Sequence, residues 1–188
     1  MSETQLTAWK AKRNIMKRYN ITAEMYDERY FEEQNRKYQK ALENVDVKGL
    51  GVLDVGCGSG LFFSYATTQT AVVVGMDVSH GLLLKAKERA EQFGNVFLVQ
   101  ADADHLPFRE NFFGAVFAFT MLQNMPKPAD TIAELRRVVE TNGRVIVTGL
   151  KKAFTLSKFM DILEDSKMQL TVFVDENSLN CYVAVLAA

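Results

Sequence analysis

Asp54, Asp77 and Asp102 each stand at the end of an apolar run, and a glycine-rich turn follows the first of them. Val52-Leu53-Asp54-Val55-Gly56-Cys57-Gly58-Ser59-Gly60 reads as a buried parallel strand leaving into a helix. Glycines in such a turn let the backbone approach a ligand, because no Cβ stands in the way. An acid ending a buried strand needs a cationic or hydrogen-bonding partner. A ligand carrying an ammonium beside a nucleoside would supply one to Asp54. Asp77, in Gly75-Met76-Asp77-Val78-Ser79, is placed to accept two hydrogen bonds from a ribose diol. Each such charge-assisted bond contributes ~1.5–3 kcal/mol. Asp102, in Ala101-Asp102-Ala103-Asp104-His105-Leu106-Pro107-Phe108, suits an exocyclic amine, with Asp104 competing for the same loop. Phe119-Thr120-Met121-Leu122-Gln123-Asn124 ends a further strand beside the expected reaction centre.

Strands alternating with amphipathic helices must position these residues. The apolar pattern predicts strands at Gly51 to Val55, Ala71 to Met76, Val96 to Gln100, Gly114 to Phe119 and Arg144 to Gly149. Between them lie a short helix with Leu61, Phe62, Tyr65 and Ala66, one opened by Ser79, and one from Pro128 to Glu140. A helix from Phe154 to Lys167 precedes two strands, Leu170 to Val174 and Cys181 to Leu186. These two are too close for a crossover and must form an antiparallel hairpin. The rest implies a mostly parallel sheet covered on both faces. Upstream, a basic helix carries Lys10, Lys12, Arg13, Lys17 and Arg18, which reads as a solvated face. A second helix is expected to begin near Thr22, and a longer one to run from Phe31 to Val45.

Composition narrows the function classes. The chain has 188 residues, 48% of them hydrophobic and 24% charged, enough for one core and one domain. A net charge of -1 gives no global field drawing it to nucleic acid. Two cysteines, Cys57 and Cys181, make no disulfide framework and suit a reducing cytoplasm. The polar Met1-Ser2-Glu3-Thr4-Gln5 is not a signal peptide, and no apolar run is long enough to span a bilayer. His80 and His105 stand apart from any ligand cluster, so no metal site is expected. Cys57 reads as a small packing residue rather than a nucleophile.

A dinucleotide turn needs G-x-G-x-x-G, and Leu61 occupies the third glycine position. The pattern is G-x-G-x-G, with Asp54 two residues before its first glycine. With Gly75 to Ser79, Gln100 to Phe108 and Phe112-Phe113-Gly114-Ala115-Val116 following in order, the chain resembles a class I S-adenosylmethionine-dependent methyltransferase. Asn111 and Gly114 replace two acids usual in the last motif. The resemblance runs from about Tyr19 to the C-terminus. It implies a Rossmann-like α/β fold: a seven-stranded sheet of order 3-2-1-4-5-7-6, strand 7 antiparallel, with helices on both faces. Residues 1–48 would be a helical cap and 49–188 the core.

The resemblance also implies roles. Gly56, Cys57 and Gly58 would pack against the methionine and ribose parts of S-adenosyl-L-methionine, and Asp54 would sit near its amino group. Asp77 would hold the ribose hydroxyls, with Met76 or Val78 flanking the adenine. Asp102 would accept from the adenine amine, and the Ala103 amide would donate to a ring nitrogen. Phe119 and Thr120 would lie near the methionine end. Tyr19 and Tyr26 either cap the cofactor or pack in the core. No catalytic residue is assigned, since an activated methyl chiefly needs alignment.

Three functions follow. The first is a methyltransferase for a small molecule, since Thr120 to Pro126 resembles the corresponding loop of ubiquinone/menaquinone-biosynthesis enzymes. The second is the catalytic subunit of an RNA- or protein-methylating complex. There, a small zinc-binding activator protein would pair with the apolar edge strand Val96-Phe97-Leu98-Val99. The third is a cofactor-binding module without turnover.

Overall fold

The structure, a computed structural model, describes residues 3–22 and 26–188. Two helices, α1 (Glu3–Thr22) and α2 (Tyr26–Leu42), precede a seven-stranded sheet. Its strands are β1 (Gly51–Val55), β2 (Val72–Asp77), β3 (Val96–Gln100), β4 (Phe113–Ala118), β5 (Val139–Leu150), β6 (Gln169–Val174) and β7 (Cys181–Ala187). Between them run α3 (Phe63–Ala66), α4 (His80–Ala90), α5 (Pro128–Val138) and α6 (Leu156–Asp165). The order is β3-β2-β1-β4-β5-β7-β6, with β7 antiparallel to both neighbours, as the family resemblance implies.

Burial follows position in the sheet. β4 is buried along its whole length, and β1 and β7 over all but one residue each. The edge strands β3 and β6 alternate with exposed residues. Central strands are covered on both faces, so apolar side chains serve in either direction. One face holds Val55, Met76, Val116, Leu135 and Phe159. The other holds Val52, Phe62, Phe63, Ala86 and Phe117.

Helix starts follow local chemistry. Ser79 caps α4, its side chain accepting from the Leu82 amide, and Thr155 caps α6 through the Lys158 amide. Pro128 opens α5, where its missing N–H costs nothing. Several boundaries differ from expectation: β5 begins at Val139 rather than Arg144, α6 spans Leu156–Asp165 rather than Phe154 to Lys167, and α2 ends at Leu42 rather than Val45. α5 ends at Val138 rather than Glu140, because Val139 is already extended (φ -78°, ψ 146°) and paired with Phe113. The helices expected near Thr22 and from Phe31 are instead one, beginning at Tyr26. Among the described residues no helix is long and apolar enough to cross a membrane.

Candidate active site

Parallel registry brings the strand ends together. Asp54 pairs with Gly75 of β2 and Phe117 of β4, and Asp77 pairs with Gln100 of β3. The carboxyl ends of β1 to β4 therefore share one rim, and the cavity lies there, about 80 Å³ in volume. Gly56, Gly58, Asp77, Val78, Asp102, Ala103 and Phe119 all line it. Tyr19 closes it from α1, its phenol oxygen accepting from Asn124 Nδ2 at 3.2 Å. The side chain of Tyr26 lies outside the described residues.

The glycine turn is held by its neighbours. Asp77 Oδ2 accepts from the Gly58 amide at 3.0 Å, and Oδ1 from the Ser79 amide at 2.8 Å. Gly58 has φ +57°, a conformation glycine adopts without a Cβ penalty. Asp77 thus ties the turn after β1 to the start of α4. Burial raises its pKa, and the amides of Ser79, Gly58 and Val78 oppose that rise. Ser59 donates its hydroxyl to Asp27 of α2, and Arg89 holds both, at 2.5 Å from the Ser59 carbonyl and 2.8 Å from Asp27 Oδ2.

Asp54 and Cys57 do not line the cavity. Cys57 packs against the face holding Phe62 and Phe63, and its buried thiol is pushed far above its ordinary pKa. That environment disfavours a thiolate nucleophile. Asp54 is buried, with Asp77 nearby. Desolvation first, then the charge of Asp77, push its pKa up to about 8. Between the ordinary 3.8 and about 8, folded Asp54 keeps a proton that the unfolded chain has released. Stability therefore falls as pH rises through that window. Asp54→Asn should flatten this slope and be the more stable protein above neutrality; thermal melts on either side of neutrality check it. An undiminished slope would place the titrating group elsewhere.

Asp102 meets a cation within the chain. Lys12 Nζ lies 2.6 and 2.8 Å from its two oxygens and 2.5 Å from Asp104 Oδ2. Lys12 is only 8% exposed, so the expectation of a solvated basic face fails at this residue. The available signal was spacing: Lys12, Ile15 and Tyr19 share the helical face that closes the cavity. Asp104 accepts a bond from Thr131 Oγ1 as well, and neither it nor His105 lines the cavity. The following Leu106-Pro107-Phe108 is scaffold: Arg137 donates to the Leu106 and Phe108 carbonyls at 2.9 and 2.8 Å, and Glu134 accepts from the Leu106 amide at 3.0 Å.

Another polar cluster was not legible in the sequence. Lys37 of α2 is 1% exposed and donates to Thr120 Oγ1 at 2.7 Å, with Glu33 3.2 Å away. Thr120 lines the cavity and has φ +54°, uncommon for a residue with a Cβ. Its amide donates to Thr148 Oγ1 at 2.7 Å, and its carbonyl accepts from Gln123. Nothing in the local pattern of α2 marks Lys37 as buried, since its partner lies 83 residues away.

A family model described as "Methyltransferase domain" matches residues 53–147, from within β1 through β5. The chain belongs to the class I S-adenosylmethionine-dependent methyltransferase family. A curated relative, the demethylmenaquinone methyltransferase of Staphylococcus aureus (strain MRSA252), is 33% identical over 137 residues, covering 71% of this chain and 56% of that protein. The chain thus spans about half the length of the curated relatives it matches. A SAM-dependent methyltransferase from Aquifex aeolicus has the same fold, with a TM-score of 0.72 at 19% identity, over 80% of this chain and 88% of that one. A Haloferax volcanii putative methyltransferase, solved with the Trm112 methyltransferase activator, matches with a TM-score of 0.76 at 14% identity, over 87% and 93%. The matched span contains Asp54, the glycine turn, Asp77, Asp102 and Thr120, whereas Lys12, Tyr19 and Lys37 precede it.

Proposed function

We propose that this methyltransferase domain moves the methyl group of S-adenosyl-L-methionine to a small-molecule acceptor. The observation that carries the reading is the cavity at the strand ends, where Asp77 and Asp102 stand beside a left-handed glycine turn whose Gly56 and Gly58 line the wall. When bound, S-adenosylmethionine supplies a methyl already activated on a sulfonium. Asp77 would hold the ribose hydroxyls while keeping its two amide bonds. Ala103 and Val78 would flank the adenine, and Asp102 would accept from its amine. Phe119, stacked edge-on with Tyr38 at 4.8 Å, would fix the methionine end. The chain's part in the chemistry is then alignment and exclusion of water, worth up to ~7–11 kcal/mol for well-oriented partners. α1 and α2 serve in this reading as a cap on the core that begins at residue 49.

The acceptor we propose is a flat, electron-rich ring of the menaquinone-precursor kind. The curated relative's name points there, and Phe119, Met121 and Met125 offer the cavity an apolar, polarisable wall. Buried free Cys57 and Cys181 suit a cytoplasmic setting. One observation favours a partnered enzyme instead: β3 is an open edge, and its Phe97 is 59% exposed. A small zinc-binding activator would cover it, and co-purification of such a protein would bring that reading forward.

Calorimetry with S-adenosylmethionine and its demethylated product, followed by labelled-methyl transfer to a demethylated quinol, tests the proposal. Binding and label in the quinol are expected. No heat and no thermal shift with either compound would remove the cofactor; binding without label in any extract fraction would leave a module without turnover.

A further inference from the structure

The cavity is small for the ligand just assigned to it. About 80 Å³ holds roughly half a dozen waters at ~10–15 Å³ each. Sites for drug-sized ligands measure ~300–1,000 Å³. What narrows it is α1, whose Lys12, Ile15 and Tyr19 form one wall. Besides the bond between Tyr19 and Asn124, α1 is tied down at two further places among the described residues. Lys12 bridges Asp102 and Asp104, and Asn20 Oδ1 accepts from Ser79 Oγ at 2.6 Å and from the Gly81 amide at 3.0 Å.

We propose that Lys12 is an internal competitor for the adenine end of the site. Its ammonium occupies the Asp102 carboxylate, so α1 must be released before S-adenosylmethionine can enter. The inference rests on the cofactor reading above and adds to it a residue that sets affinity. Both groups present N–H donors to the same oxygens. Lys12 also brings a positive charge to two neighbouring acids, which a neutral adenine amine does not. The closed state is therefore electrostatically favoured, and cofactor affinity is reduced by the fraction of molecules that are open. The other basic residues of this helix, Lys10, Arg13, Lys17 and Arg18, are exposed and do not line the cavity.

Lys12→Met keeps the length and apolar stem of the side chain and removes its charge. It should bind S-adenosylhomocysteine about tenfold more tightly than the parent in calorimetry, as expected if about one parent molecule in ten is open. Lys12→Arg should stay near the parent. Hydrogen exchange gives a ligand-independent readout: α1 amides should exchange faster in Lys12→Met than in the parent, with β1 and β4 unchanged. Equal or weaker binding by Lys12→Met, while the parent binds, overturns the competition and leaves the cofactor reading intact. Unchanged α1 exchange also overturns it. No binding by either protein overturns the cofactor reading and this inference together.

Discussion

Asp77→Ala is expected to lower affinity for S-adenosylhomocysteine by about 100-fold, or ~2.7 kcal/mol. The carboxylate has two roles that alanine ends at once. It would accept from two ribose hydroxyls, and charge-assisted bonds contribute ~1.5–3 kcal/mol each, part of which water restores. It also satisfies the amides of Gly58 and Ser79, so the turn loses the bond that holds it against β2. Asp77→Asn separates these roles only in part, because its amide nitrogen must face one of those two N–H groups. Calorimetry reads the loss directly. Affinity within threefold of the parent would remove Asp77 from the ribose role and leave it a purely structural clamp.

Gly60→Ala should cost about 3 kcal/mol of stability. A Cβ there would lie 2.3 Å from Phe63 Cε2, and Phe63 is fully buried. The ring cannot retreat, since it is equally close to Gly75 on the other side, where an added Cβ would meet Phe63 Cζ at 2.6 Å. Overpacking of this kind costs ~1–3 kcal/mol. The backbone adds to it, because Gly60 has φ +79° and a left-handed residue with a Cβ costs ~1–2 kcal/mol. Urea unfolding measures the sum, and a midpoint equal to the parent's would show that Phe63 has another place to go. Gly60 does not line the cavity. The last glycine of the motif thus acts through packing of α3 on β2, while Gly56 and Gly58 line the cavity.

Much of the fold was legible because its signals are local. Strand runs bounded by turn residues located β1 and β3 to the residue, and Ser79 announced the start of α4 through its own side chain. The three acids could be placed at strand ends for the same reason, and the spacing of the glycines excluded a dinucleotide turn. Strand order came from the family resemblance, since no pairing preference among apolar strands distinguishes 3-2-1-4-5-7-6 from its rivals.

The remainder depended on residues far apart in sequence. Lys12 read as one more cation on an exposed helix, and its burial follows only from α1 lying over Asp102, 90 residues later. Lys37 is hidden by Thr120 in the same way. Asp54 and Cys57, beside and within the glycine turn, stay off the cavity wall because Asp54 is paired inside the sheet with Gly75 and Phe117 and Cys57 packs with Phe62 and Phe63. Sequence by itself determined which residue types stand at the carboxyl ends of the parallel strands, since that depends on runs and turns a few residues long. The tertiary structure alone decided which of those acids is already neutralised, because the neutralising charge arrives on a helix that no local pattern orients.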